Sequence, residues 1–489
     1  MQREEAPMGA AAVIALAEVR EKKQQAEFRR QLHARLDCWL EAVEEQMKEP
    51  KPTLEQLTRA VWDRRQELTG SLTEALLEQR YEAEQGQRSA PCPQCGRPVT
   101  ARAVVSRRVS TLVGEVEVDR PYFYCVPCGH GFTPLEASLG LAEGRKQFDL
   151  QRAAAKLTAE VPYETARELF AELTGIQMGT ERLHTLTNAV AEGLGVLDVA
   201  PTRSEIAQQI ATVAAGRRQR PILVLAIDGA QVPTRPDTAQ GSRPGRKKQR
   251  AKRARWQGQW REAKGFRCYL VDDARSVHLL SWHQIQSDEE LFAALRQVKE
   301  AGLMPEEEVR LCVVADGAPW IWHGVAQLFP TAREILDYSQ CSQHIHAVAE
   351  LHYGAGAAAA LEWVEATMAR LFAGEVDGVI WGLQRMPPAT AAAAVAIDKL
   401  SGYLREHSHR INYGAQRKAG YPLGSGGIEA AHKFICHARL KRSGAWWYVA
   451  NSNHMLALRC AKYNGTFDRV FERYRQTLLA KSQQKNVKK

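Results

Sequence analysis

Three carboxylates in this 489-residue chain stand in settings that could bring them together. The run Pro221-Ile-Leu-Val-Leu-Ala-Ile-Asp228-Gly229 is short and apolar up to its acid, the pattern of a buried central strand that delivers a carboxylate at its tip. Val309-Arg-Leu-Cys-Val-Val-Ala-Asp316-Gly317 repeats the theme. Asp-Gly is also a common turn, so these two segments alone are equally readable as two turns. A third acid changes the balance: Gly424-Ser425-Gly426-Gly427-Ile428-Glu429 is a flexible loop leading into a helix predicted over Ala430–Leu440. Glu429 falls in its first turn, with Lys433 one turn further on the same face. Three such acids suit Mg²⁺, a hard cation that takes oxygen ligands. Two ions about 4 Å apart can activate a water or a 3′-OH and stabilise the leaving oxygen of an in-line phosphoryl displacement. Without a cation, converged carboxylates raise one another's pKa.

A second constellation uses sulfur. Cys92-Pro-Gln-Cys95-Gly96 and Cys125-Val-Pro-Cys128-Gly129 are two CxxC knuckles, each followed by glycine and separated by 29 residues. The spacing suits tetrahedral Zn²⁺, and glycine lets the backbone turn tightly under the thiolates. Four protein ligands leave no open position for water, so this zinc is expected to be structural. His130 could replace one thiolate but is read as a bystander. The other six of the ten cysteines are scattered, and reduced thiols are expected of a long cytosolic chain.

The elements that must position these residues follow from periodicity. Residues 8 to about 85 carry apolar positions at helical spacing, with Pro50 and Pro52 ending the first stretch; a bundle or dimerising arm is expected. Val104–Val113, Glu115–Val118 and Tyr122–Tyr124 read as a small hairpin between the knuckles. Tyr163–Leu173, a Gly175-bearing turn and a second helix from Thr180 fit a helix-turn-helix, although an ordinary helical hairpin has the same pattern. Strands at 221–227, 266–272 and 277–286, a helix at 291–300, and strands at 309–315 and 334–337 suggest an RNase H-like sheet.

Composition bounds the class. A chain 45% hydrophobic and 25% charged is globular in profile, and its length calls for three or four domains. No apolar run approaches the roughly 20 residues of a membrane span, and acidic Glu4 and Glu5 before the apolar start argue against a secretory signal. The expected location is cytoplasmic, associated with the nucleoid. Of the net charge of +10, the segment Arg243–Lys264 alone gives +9, with ten Lys or Arg and only Glu262 as an acid. A solvated loop is the bland explanation. Cations interleaved with Trp256 and Trp260 point instead to nucleic acid, with Arg246, Lys247, Lys248, Arg250, Lys252, Arg253 and Arg255 as DNA-binding candidates. Lys433, Arg439, Lys441 and Arg442, close after Glu429 and followed by Trp446 and Trp447, are further candidates.

Several blocks resemble bacterial insertion-sequence transposases of the ISKra group: Asp228-Gly229, Trp260-Arg-Glu-Ala-Lys264, Ala315-Asp316-Gly317-Ala318-Pro319-Trp320-Ile321-Trp322, Ile335-Leu336-Asp337-Tyr338 and Gly424-Ser-Gly-Gly-Ile-Glu429-Ala, continuing through Arg439–Trp446. The ordered likeness runs from about residue 90 to 462. It implies a DDE enzyme with an RNase H-like core, Asp228, Asp316 and Glu429 as catalytic residues holding Mg²⁺ or Mn²⁺, and an all-helical insertion of the Mutator-like kind between the last two. Cys341-Ser-Gln-His344 matches a Cys/Asp-x-x-His motif of such enzymes, which implies active-site support from Cys341 and His344; a helix start with a satisfied histidine is the alternative. Gln340 departs from the histidine often found there.

The expected architecture is therefore multi-domain α+β. It comprises a helical region (1–88), a zinc ribbon (89–135), a helix-turn-helix-like region (145–200), an RNase H-like core (218–345 and 423–465) split by a helical insertion (346–422), and a basic tail (466–489). The expected function is an insertion-sequence transposase that binds element ends and target DNA as at least a dimer. A domesticated zinc-ribbon DNA-binding protein and a structure-selective nuclease are the alternatives.

Overall fold

The computed structural model describes residues 10–47, 50–236, 258–273 and 275–488, and the protein is a mixed α+β chain that divides into two compact units. The basic candidates Arg246, Lys247, Lys248, Arg250, Lys252, Arg253 and Arg255 lie outside the described residues.

The first unit contains residues 1–157, 163–183 and 471–489. Two long helices, Ala10–Gln46 and Leu54–Arg80, pack side by side. Thr53 starts the second with a capping box: its hydroxyl accepts from the Gln56 N–H, and the Gln56 side chain accepts from the Thr53 N–H. The indole Nε1 of Trp39 donates to the Arg64 carbonyl at 2.8 Å, tying the pair together. The second helix also packs on a four-stranded antiparallel sheet made of β1 (Ser89–Pro91), β2 (Pro98–Thr111), β3 (Gly114–Cys125) and β4 (His130–Phe132), in that order. Close approach is possible because Gly70 faces the Glu115 carbonyl, where a Cβ would stand at 2.5 Å. The expected small hairpin is longer than its alternating segments implied. The strands β2 and β3 pair from Ala101 opposite Phe123 out to Thr111 opposite Gly114, extending past the valines into Arg- and Glu-rich positions that periodicity alone leaves ambiguous.

The second unit contains residues 158–162 and 184–470. Its sheet has five strands: β5 (Ile222–Thr234), β6 (Gln259–Asp272), β7 (Arg275–Ile285), β8 (Arg310–Ala315) and β9 (Arg333–Leu336). Their spatial order is β7-β6-β5-β8-β9. The strands β5, β6 and β7 form an antiparallel meander, while β8 and β9 join parallel to β5 and to each other. Parallel pairs need crossovers, and two helices supply them: Asp288–Glu300 before β8 and Pro319–Leu328 before β9. The centre is dry, with Leu223–Ile227 and Cys312–Ala315 fully buried.

The edge strand β7 is closed by side chains. The Asn453 carboxamide accepts from the Ile285 N–H at 2.8 Å and donates to its carbonyl at 3.1 Å; Asn464 does the same for Ser281 at 2.8 and 3.0 Å. The helix Val449–Tyr463, which packs on β7, carries Asn453, and Asn464 follows it directly.

Between β9 and Glu429 the chain is helical, with α-helices Tyr338–Tyr353, Ala358–Phe372, Val376–Arg385, Ala391–Glu406 and Tyr413–Lys418. The region 145–200 is shared between the two units. It holds the helices Phe148–Thr158, Tyr163–Thr174 and Thr180–Ala191, and Gly175 takes φ +70° in the turn between the last two. Among the described residues, no helix is long and apolar enough to cross a membrane.

Candidate functional site

Asp228 and Asp316 are brought side by side by register. The parallel pairing of β5 with β8 ends at Ile227 opposite Ala315, so the next residue of each chain is the aspartate. Asp228 is not at the end of its strand, however. The strand β5 runs on to Thr234 as a two-stranded ribbon with β6, and only its pairing with β8 stops at the acid. Neither Asp-Gly is a left-handed turn; the glycines supply space instead. A Cβ at Gly229 would collide with the Glu262 carboxylate, and one at Gly317 with the Tyr403 ring. Backbone amides fix both acids: the Gly229 N–H donates to Asp228 Oδ1 at 2.7 Å, and the Ala318 N–H donates to Asp316 Oδ1 at 2.9 Å. Trp322 Nε1 adds a bond to the Asp316 carbonyl at 2.7 Å.

Glu429 comes from the first turn of the helix Gly426–His432, which packs on β5 and β6. Two buried side chains fasten its start. Arg267 of β6 donates through Nη1 to the Gly427 carbonyl at 2.6 Å. Asp337 accepts the Ser425 N–H with one oxygen and caps the helix Tyr338–Tyr353 with the other, through Gln340 N at 2.8 Å. The helix predicted over 430–440 is interrupted: Lys433–His437 forms a π-helical turn before Ala438–Leu440.

The acids sense one another. Asp228 is pushed up to about 7, first by burial and then by the negative charges of Asp316, Glu262 and Glu429, against the opposing pull of the Gly229 N–H. Glu262 thus joins the site as a fourth carboxylate; in the sequence it stood out only as the lone acid of a basic segment. The acids are not drawn into a tight cage. Among the described residues, only the four knuckle cysteines form a group of three or more His, Cys, Asp or Glu with ligand atoms all within 4.8 Å.

Histidine is the residue type that sequence reasoning missed. His432 Nδ1 lies 3.7 Å from Asp228 Oδ2, its side chain is only 7% exposed, and its Nε2 has no hydrogen-bond partner. Burial, and then His437, pulls His432 down to about 4, leaving a neutral ring with a lone pair. His283 of β7 is fully buried with both ring nitrogens unpartnered, and its ring stands 5.1 Å from His432 at 82°. It lies over Gly265, which pairs with Asp228 on one side and with His283 on the other. A weak sequence signal existed, since Glu429 and His432 are spaced to share a helix face.

The remaining candidates separate. Cys341 is fully buried, and burial pushes its thiol up to about 11, so it serves packing rather than chemistry. His344 is exposed and rests 4.4 Å from the Tyr403 ring, the same ring that covers Gly317. Lys433, Lys441 and Arg442 are exposed, and Lys441 Nζ lies 5.6 Å from the ring centre of half-exposed Trp260, itself edge-on to Trp446 at 6.2 Å. Arg439 requires correction: it is 3% exposed, donates to the Thr158 carbonyl at 2.9 Å and lies over Trp447, so phosphate cannot reach it.

The sulfur constellation is in the first unit. The β1–β2 and β3–β4 connections present the knuckles, and Gly96 and Gly129 take φ +69° and +63°. Cys92 and Cys128 sulfurs are 4.0 Å apart, and those of Cys95 and Cys125 3.7 Å. Tetrahedral ligation at about 2.3 Å per Zn–S bond requires sulfur separations of about 3.8 Å, so the four thiols fit a structural zinc. Without a cation Cys128 is pushed up to about 12, first by its hydrogen bond with Cys95 and then by burial. His130 is not in the set; its ring stacks on Phe132.

The chain matches no known protein family and no curated protein sequence.

Proposed function

We propose that this protein is a DNA transposase of the insertion-sequence type, cutting and joining strands at Asp228, Asp316 and Glu429. The observation that carries the reading is the delivery of two aspartates from adjacent parallel strands, with a helix bearing the third acid packed on the same strands. A mixed five-stranded sheet in the order β7-β6-β5-β8-β9 supports an RNase H-like core, and the helices between β9 and Glu429 support the insertion expected from the motif resemblance.

Mg²⁺ or Mn²⁺ held by these acids would supply the activation of the attacking oxygen and stabilisation of the leaving one. The chain's part is to hold the carboxylates apart from bulk water and in fixed orientation. The Gly229 and Ala318 amides, together with Arg267 and Asp337, provide that rigidity. Lys433, Lys441 and Arg442 lie on the exposed side of the segment after Glu429, where DNA phosphates would be positioned. The zinc ribbon and the helices Tyr163–Thr174 and Thr180–Ala191 would recognise element ends, the protein acting as at least a dimer.

The test is incubation of the full chain with DNA bearing its element's own ends and Mn²⁺. Wild type is expected to nick those ends and join them to target DNA, while Asp228→Ala, Asp316→Ala and Glu429→Ala bind the ends but leave them intact. Cleavage by a triple-alanine variant would overturn the site. Cutting without joining would identify a nuclease instead.

A further inference from the structure

We propose that His432 is a nitrogen ligand in the metal site, shared with Asp228 and Glu429, so that the site favours Mn²⁺ over Mg²⁺. This rests on the reading of Asp228, Asp316 and Glu429 as metal-binding acids and adds a donor of a different chemical kind.

The separation of His432 Nδ1 from Asp228 Oδ2, 3.7 Å, is too long for a hydrogen bond. It does suit two neighbouring ligands of one ion, since donors about 2.1 Å from a shared centre lie roughly 3–4 Å apart. Buried polar side chains are ordinarily hydrogen-bonded, and exceptions call for a specific explanation such as an ion. His432 is such an exception, being 7% exposed with Nε2 unpartnered. Its place on the helix adds a second argument. Glu429 and His432 form a Glu-x-x-His pair at i and i+3, a spacing by which one helix can present a carboxylate and an imidazole to the same metal site. His283, fully buried and packed edge-on to His432, leaves the ring little freedom to turn away from Asp228. Every titratable group identified around the ring, namely Asp228, Glu429, His283 and His437, is thus a carboxylate or an imidazole, with no ammonium or guanidinium competing for the cation's place.

Imidazole binds Mn²⁺ and later transition ions more readily than Mg²⁺, which keeps to oxygen and water. The experiment is pulsed EPR on the zinc-loaded full chain with one equivalent of Mn²⁺, accompanied by titration of Mn²⁺ and Mg²⁺. Wild type is expected to show ¹⁴N coupling to manganese that disappears in His432→Gln and His432→Ala. Both variants should lose Mn²⁺ affinity by about tenfold or more while Mg²⁺ affinity falls less. Circular dichroism and retained zinc identify which variant is folded, and either suffices. Asp228-dependent Mn²⁺ binding without nitrogen coupling would overturn the ligand role while leaving the acidic site intact. Coupling that persists in a folded His432 variant would also overturn it. Failure of Mn²⁺ to bind in any Asp228-dependent way would overturn both readings.

Discussion

At the residue scale, the chemistry turns on how a carboxylate is kept both buried and ready to ionise. Asp228 has an ordinary value of 3.8 and is raised to about 7 by burial and by three neighbouring acids. A folded-state pKa above the unfolded value means that stability is greatest below about 3.8 and declines as pH rises through 7. Asp228→Asn removes the ionisation, so with no divalent cation added it should melt above wild type at pH 8. The gap should narrow steadily as pH falls toward 4, and thermal melts across that range check this; a constant gap would show that Asp228 does not titrate there. The residue scale is also where sequence reading did worst. Arg439 was counted among cations for DNA because a basic stretch does not reveal which of its members turns inward. Only Trp447 and the Thr158 carbonyl, distant in sequence, decide that. His283 lies within a hydrophobic run of β7, where a buried histidine looks like any other interior position.

At the element scale, the site depends on fasteners between segments far apart in the chain. Asp337 is 1% exposed and its two oxygens each accept a backbone amide, one from Ser425 and one from Gln340. Hydrogen bonds to a buried carboxylate stabilise by about 1.5–3 kcal/mol each. Asp337→Ala is therefore expected to lower stability by several kcal/mol and to speed amide exchange over residues 424–429, with little change in the sulfur site. Unchanged exchange in that loop would remove Asp337 from the positioning of Glu429. The strands themselves were legible because β5 and β8 are buried on both faces and read as continuous apolar runs. The extension of β5 past Asp228 was not legible. Its continuation Gln231-Val-Pro-Thr is set by pairing with β6, and a proline in that position lowers the strand signal. The fasteners were equally invisible, because one asparagine or aspartate carries no sign of its partner.

At the scale of the whole molecule, two metal chemistries are assigned to two different compact units. The thiols belong to residues 92–128 of the first, whereas the acids and His432 belong to the second. Soft sulfur and hard oxygen donors select different ions, so the sites can be loaded and emptied separately. Elemental analysis of purified protein should find about one zinc per chain, lost in Cys92→Ser, with Asp228-dependent Mn²⁺ binding retained. Full zinc retention by that variant would count against the four-thiol site. Each unit also manages its own sheet. In the second, the Asn453 and Asn464 carboxamides occupy the outer groups of β7, so this edge offers no free ladder to another strand.

The π turn at Lys433–His437 has a consequence for how such chains can change length. A π turn holds one residue more than the α-helical turn it replaces, so it acts as a phase shifter between Glu429 and everything downstream. Excising a single residue there would restore a regular helix and swing the following side chains by about 100°. Arg439 would then leave the Thr158 carbonyl and Trp447 would lose its seat, while Glu429 stayed in place. Insertions and deletions are thus tolerated on either side of this turn more readily than within it, and the spacing from Glu429 to Arg439 is fixed by geometry.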